Sequence, residues 1–204
     1  MNYEPLTADD RDLLLRLARQ SIQLVVNGCS LPELDHSRLS DALRQPGASF
    51  VTLSKAGKLR GCIGTLEAYQ PLVEDVRDHA VSAALDDFRF APVRPEELSH
   101  LHIEISRLTP PVPVSYDCPE DLLTSLRPGK DGVVLRRGVQ RATFLPQVWE
   151  QLPDPIDFLN ALCQKMGVRA DAWMRERFEL LTYRVESFEE APKTTIPALD
   201  SSSE

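Results

Sequence analysis

Several things are scarce in this chain of 204 residues, and each scarcity excludes something. Cysteine occurs only four times, at Cys29, Cys62, Cys118 and Cys163, with no C-x-x-C pair. Such scatter argues against a zinc site and supplies no disulfide framework. No apolar run approaches the roughly 20 residues that a membrane-spanning helix needs. The opening segment, MNYEPLTADDRDLLL, lacks the basic and apolar regions of a signal peptide. Basic residues are outnumbered, 23 Lys and Arg against 31 Asp and Glu, giving a formal net charge of -8. That balance disfavours nucleic acid and anionic membrane surfaces, while leaving room for a local basic patch around Arg136, Arg137 and Arg141. GxGxxG, a phosphate loop, GxSxG and HExxH are all missing, and no cofactor is expected. His100 and His102 make an H-x-H pair without a further ligand nearby in sequence, so no metal is expected either. The expectation is a reduced, cytoplasmic, soluble protein of ordinary globular composition.

Against this background one stretch stands out, Leu59-Arg60-Gly61-Cys62-Ile63-Gly64 with Thr65-Leu66-Glu67 after it. Gly61 and Gly64 have no Cβ, so the backbone there can bend or approach a ligand closely. Arg60 is a fixed cation two residues from the thiol, able to favour a thiolate or hold an anionic group. Strand alternation places Arg60, Cys62 and Gly64 on one face and Leu59, Gly61 and Ile63 on the other. Two readings stay open: a reactive thiol in a site, or a glycine-kinked strand with a buried, inert cysteine.

Taken in order, Thr7–Val26 reads as a helix opened by a Thr7/Asp10 capping box and closed by Asn27-Gly28. A short helical piece is expected over Ser37–Arg44. Ser49–Leu53 is a strand that pairs with the glycine–cysteine strand through a loop of about five residues, Ser54–Lys58. Pro71–Asp86 is a helix whose alanines allow a close approach to a sheet, with His79 inside its apolar stripe. His79 is either a satisfied core histidine or a proton carrier. In the turn after it, Arg89 is either a substrate clamp or an ion-pair partner of Asp87. Leu101–Leu108 is a strand with His102, Glu104 and Ser106 on one face. Thr109–Val114 is a proline-rich connection or edge. A helix over Pro119–Leu126, strands at Val133–Leu135 and Ala142–Leu145, helices from Pro146 and Asp154, and a last strand over Phe178–Phe188 follow. Hairpins without regular strand–helix alternation predict an α+β fold, mainly antiparallel sheets with flanking helices. The ordered unit is expected over 1–192, with a polar, disordered tail over 193–204.

Five segments in this order resemble the AMMECR1 domain family, including the AmmeMemoRadiSam system protein A. They are LRGCIG at Leu59–Gly64, SFVTL at Ser49–Leu53, the D-x-R-F element at Asp87–Phe90, PGKDG at Pro128–Gly132, and ATFLPQVWEQLPDP at Ala142–Pro155. The resemblance implies larger and smaller subdomains around a cleft lined by the LRGCIG hairpin. It also implies co-occurrence with a Memo-type protein and a radical S-adenosylmethionine protein, and so a shared modification pathway. Two positions depart from the family pattern: His79 stands where asparagine is expected, and Phe88 where proline is.

Two functions follow as expectations. In one, Cys62 is a nucleophile or covalent acceptor for a small polar or anionic substrate held by Arg60, Gly61, Gly64, Arg89 and Thr143. Glu67, Thr143 or His79 would then move or orient a proton. In the other, the same cleft is a non-catalytic module for a small molecule or a protein, and Cys62 is packing.

Overall fold

The computed structural model describes residues 5–31 and 33–191; the tail expected over 193–204 lies outside the described residues. The chain runs α1 (Ala8–Val26), α2 (Asp41–Arg44), β1 (Pro46–Lys55), β2 (Lys58–Gly64), β3 (Gln70–Pro71) and α3 (Leu72–Leu85). It continues through β4 (Leu101–Leu108), β5 (Val112–Pro113), α4 (Pro119–Ser125), β6 (Gly132–Arg137) and β7 (Gln140–Phe144). It finishes with α5 (Pro155–Lys165), α6 (Ala172–Arg175), β8 (Glu179–Tyr183) and β9 (Val185–Glu189). All strand pairings are antiparallel, in two sheets. The first has the order β2-β1-β4-β9, with β3 also on β1; the second has the order β5-β8-β6-β7. The α+β, antiparallel architecture read from the sequence is the one observed.

Local chemistry accounts for the main elements. At the start of α1 the Thr7 hydroxyl accepts the Asp10 N–H (3.1 Å) and the Asp10 carboxylate accepts the Thr7 N–H (3.0 Å). Such a reciprocal cap contributes on the order of 1 kcal/mol. Leu14, Leu17, Ala18 and Ile22 of α1 and Val73, Val76, Ala80, Ala83 and Ala84 of α3 pack with Val51, Leu53, Ile103 and Ile105 on one face of the first sheet. Each large aliphatic side chain so buried contributes roughly 1.5–3 kcal/mol. A second core forms between the second sheet and the later helices, around Phe158, Leu159, Leu162, Trp149 and Trp173. Trp149 stacks on Phe158 with centroids 3.7 Å apart. Ala48, Phe50, Leu66, Leu108, Val134, Leu145, Tyr183 and Val185 form a third cluster that joins one sheet to the other.

Three expectations need correcting. The run Phe178–Phe188 is not one strand but two, β8 in the second sheet and β9 in the first, with Arg184 between them. The pattern LLTYRVESF is continuous in apolar and β-branched residues, so its periodicity hides the crossing. The break is held by Thr109, whose N–H donates to the Arg184 carbonyl (2.8 Å) while its hydroxyl accepts the Arg184 N–H (2.8 Å). The β1–β2 loop is shorter than expected: it is the two-residue turn Ala56-Gly57, both with positive φ (50° and 73°). That is the signature of a turn whose twist matches the flanking strands. The pieces at Ser37–Arg44 and Pro146–Leu152 include 3-10 turns, at His36–Arg38 and Pro146–Glu150.

Candidate functional site

β2 is an edge strand, and its two faces have different neighbours. Gly61 lies against α3: a Cβ built there would sit 2.1 Å from the Ala83 carbonyl oxygen. This glycine is what lets the helix backbone come down onto the strand. Gly64 is tight for another reason, since its Cβ would fall 2.4 Å from the Phe50 ring and from the Ser49 oxygen. Cys62 points the opposite way from Gly61, onto the face that carries neither α1 nor α3, and its side chain is half-buried.

The Cys62 backbone is fixed from the open edge. Its N–H donates to Asp87 Oδ2 (2.8 Å), and its carbonyl accepts from Arg89 Nη2 (3.2 Å). Asp87 and Arg89 thus occupy the hydrogen-bonding groups that a further strand would use. The two side chains also grip each other, at 2.6 and 2.9 Å. The Arg89 guanidinium, with the Cys62 N–H, holds the Asp87 carboxyl well below the usual carboxylate range. Arg89 is therefore an ion-pair partner of Asp87, as one of its two readings had it. Because the Cys62 N–H is spent on Asp87, the Cys62–Thr52 pair is of the non-hydrogen-bonded type, where cross-strand side chains come closest. Thr52 Oγ1 accordingly donates to Cys62 Sγ at 3.3 Å.

Arg60 turns away from the thiol. It makes a two-pronged contact with Glu97, Nε to Oε1 (3.1 Å) and Nη2 to Oε2 (2.9 Å), and Lys55 joins the same carboxylate (2.9 Å). Arg60 and Lys55 together keep the Glu97 carboxyl well below its ordinary range. Arg60 and Arg89, the two cations expected beside Cys62, are thus each matched by a carboxylate. Arg60 and Arg89 also flank the Phe90 ring, at 5.9 and 5.6 Å.

The other expected site residues lie apart from the sulfur. His79 is on α3, one turn after Asp75 and on the face of the sheet opposite Cys62. Its Nδ1 is 3.2 Å from Asp75 Oδ2, which also accepts from the Ser49 hydroxyl (2.6 Å). Asp75 is fully buried and its Oδ1 has no partner. Glu67 is exposed and ion-paired with Arg141 of β7, a side-chain bridge from the loop after β2 to the second sheet. Thr143 lies on β7, 3.2 Å from the Tyr183 hydroxyl, whose burial pushes its pKa up to about 12. Tyr183 belongs to the cluster that joins the sheets, so Thr143 is tied to the side of the second sheet that meets Phe50. Of the other thiols, Cys29 and Cys118 are exposed, and Cys163 is buried, which raises its pKa.

Register brings in a residue the motif reading did not single out. Cys62 pairs with Thr52, Thr52 with Glu104 and Glu104 with Glu189, one row across four strands. The neighbouring row is Gly64, Phe50, Ser106 and Ser187, and Phe50 is where the second sheet abuts. The strand alternation of Leu101–Leu108 already put Glu104 on a polar face; only the pairing shows that this face is the thiol's. Glu97 carried no sequence signal, standing 37 residues from Arg60. Two surface depressions, of about 440 Å³ beside Tyr116 and Phe178 and about 360 Å³ beside Leu24 and Cys29, do not include Cys62. Among the described residues no group of His, Cys, Asp and Glu is arranged to hold a metal, and no helix is long and apolar enough to cross a membrane.

These observations define a mixed α+β protein of two antiparallel sheets with a glycine-flanked thiol on an edge strand. The chain belongs to the AMMECR1 family, whose model matches residues 15–188. It is 38% identical over 191 residues to a protein of Methanothermobacter thermautotrophicus, covering 93% of this chain and 99% of that one. A Methanopyrus kandleri protein is 37% identical, with 92% and 91% covered. Among solved structures, an uncharacterised protein from Pyrococcus horikoshii is similar with a TM-score of 0.73 and 34% identity, over 87% of this chain and 90% of that one.

Proposed function

We propose that the Cys62 face, where the first sheet meets the second, is a ligand site for a small polar molecule, with Cys62 as the nucleophile or covalent acceptor. The observation that carries this reading is a partly buried cysteine held in place from three sides. Thr52 Oγ1 donates to it, Asp87 fixes the N–H of its residue, and Arg89 fixes the carbonyl. The Thr52 hydroxyl at 3.3 Å orients the sulfur, and a thiolate is the form that attacks. The ion-pairing of Arg60 and Arg89 removes the motive for an anionic ligand, so only the polar class is carried forward. Glu67 and Thr143 border the junction of the sheets and would orient a ligand there rather than take its proton. The family resemblance adds the context: a cytoplasmic step in a modification system shared with Memo-type and radical S-adenosylmethionine proteins.

A second reading, a binding module without turnover, is favoured by one observation. The Cys62 N–H already donates to Asp87, so it is not free to stabilise an oxyanion.

Iodoacetamide distinguishes the two; sulfur bonds the acetamide carbon, iodide leaves and the thiol proton goes to solvent. Peptide mapping of the native protein at short times is expected to find Cys62 alkylated faster than the more exposed Cys29 and Cys118, with Cys163 last. Alkylation of Cys62 slower than Cys29 and Cys118 moves the assignment to the binding module. Alkylation as slow as that of Cys163 overturns the site altogether.

A further inference from the structure

We infer that Glu104 sets the charge preference of the Cys62 face, selecting ligands that carry an ammonium or guanidinium group. The inference rests on the reading of that face as a ligand site and names the substrate class it takes. Glu104 stands one strand beyond Thr52 in the Cys62 row and is partly buried. Among the described residues its side chain has neither a hydrogen-bond nor an ion-pair partner. Several other charged groups of the two sheets already have partners, and Lys165 beside Thr143 donates to its carbonyl (2.9 Å). Glu189 in the same row is held by His102 (3.0 Å), Arg60 by Glu97 and Arg89 by Asp87. On the second sheet Arg141 is paired with Glu67 and Arg136 lies 3.9 Å from Glu179. The remaining neighbours, Thr52, Ser106 and Ser187, are neutral hydroxyls, and the two serines satisfy each other at 3.0 Å. A partly buried carboxylate left without a counter-charge attracts a cation placed beside it. Glu104 is the acidic group of the row nearer the sulfur and the one whose side chain has no partner, and the next hydroxyl along the row is the one that donates to the sulfur.

Two thiol reagents of equal reach and opposite charge test this: trimethylammonium-ethyl methanethiosulfonate and sulfonatoethyl methanethiosulfonate. With either, the Cys62 thiolate attacks the reagent's sulfenyl sulfur, a mixed disulfide forms, methanesulfinate leaves and the thiol proton passes to solvent. Site-resolved rates come from peptide mapping, with exposed Cys29 as an internal reference. At low salt the cationic reagent is expected to modify Cys62 about tenfold faster than the anionic one, after division by their ratio at Cys29, as for a unit charge within about 10 Å of a half-wet site. Glu104→Gln, which keeps the shape, brings the ratio close to one; Glu189→Gln leaves it in place; added salt erodes it. A ratio at or below one in the wild type, or a tenfold ratio unchanged in Glu104→Gln, overturns the inference and leaves the site reading standing. Failure of both reagents to reach Cys62 overturns the site reading as well. Should Glu104→Gln not fold, the wild-type ratio and its salt dependence still decide.

Discussion

Gly61→Ala is the substitution that most directly separates packing from ligand binding at the motif. The added Cβ would sit 2.1 Å from the Ala83 carbonyl oxygen, where real contacts are essentially never under 3.0 Å. The obstacle is helix backbone, not the end of a flexible side chain, so relief requires α3 and β2 to part by about an ångström. A gap of that size forfeits a quarter to a half of each dispersion contact along the seam. The seam here is lined by Val76, Ala80, Ala83 and Ala84 against Val51 and Leu53. Overpacking penalties run to about 3 kcal/mol, and this one belongs at the upper end. Urea unfolding followed by circular dichroism reads it. With a slope of about 2 kcal/mol per molar, the midpoint is expected to fall by about 1.5 M with the slope unchanged. Gly57→Ala is the control. Its Cβ meets open space, but φ is +73°, so only backbone strain of about 1 kcal/mol is expected. A Gly61→Ala protein within 1 kcal/mol of wild type would refute the packing account, and Gly61 would then be explained by a ligand's approach instead.

Further outcomes are expected. Ala56 takes a left-handed conformation (φ 50°) that alanine disfavours, so Ala56→Asn is expected to raise stability by about 1 kcal/mol, read as a higher melting temperature. Asp87→Asn weakens the ion pair with Arg89 and is expected to cost about 2 kcal/mol at neutral pH. Because the folded Asp87 carboxyl titrates below its unfolded value of about 3.9, its contribution is present above that value and lost as pH falls through the folded one. The gap between wild type and Asp87→Asn is therefore expected to narrow below about pH 4 in a series of urea titrations. A gap constant from pH 7 to pH 2 would sink that account.

Much of the scaffold could be read from the chain because its signals are local. The Thr7/Asp10 cap, the alanine stripe of α3 and the β1–β2 hairpin depend on residues within a turn or a strand of each other. The position of Cys62 opposite Gly61 followed from strand alternation alone. What escaped depended on approach in space. The match of Arg60 with Glu97 needs the 3-10 turn before β4 to lie beside β2, and no spacing announces that. The row from Cys62 to Glu104 needs the β1–β4 register, which connects Thr52 with Glu104, 52 positions apart along the chain. The split at Arg184 escaped because both of its strands are apolar in alternation and no glycine or proline marks the boundary.

That split has a mechanical meaning. One residue is all that separates a strand of the second sheet from a strand of the first, and Thr109 stitches its amide and carbonyl to the neighbouring segment. No slack tether joins the halves here, so the junction of the two sheets behaves as a stiff leaf spring. It can flex with the ribbon that runs through both sheets, but it cannot swing open as a lid would.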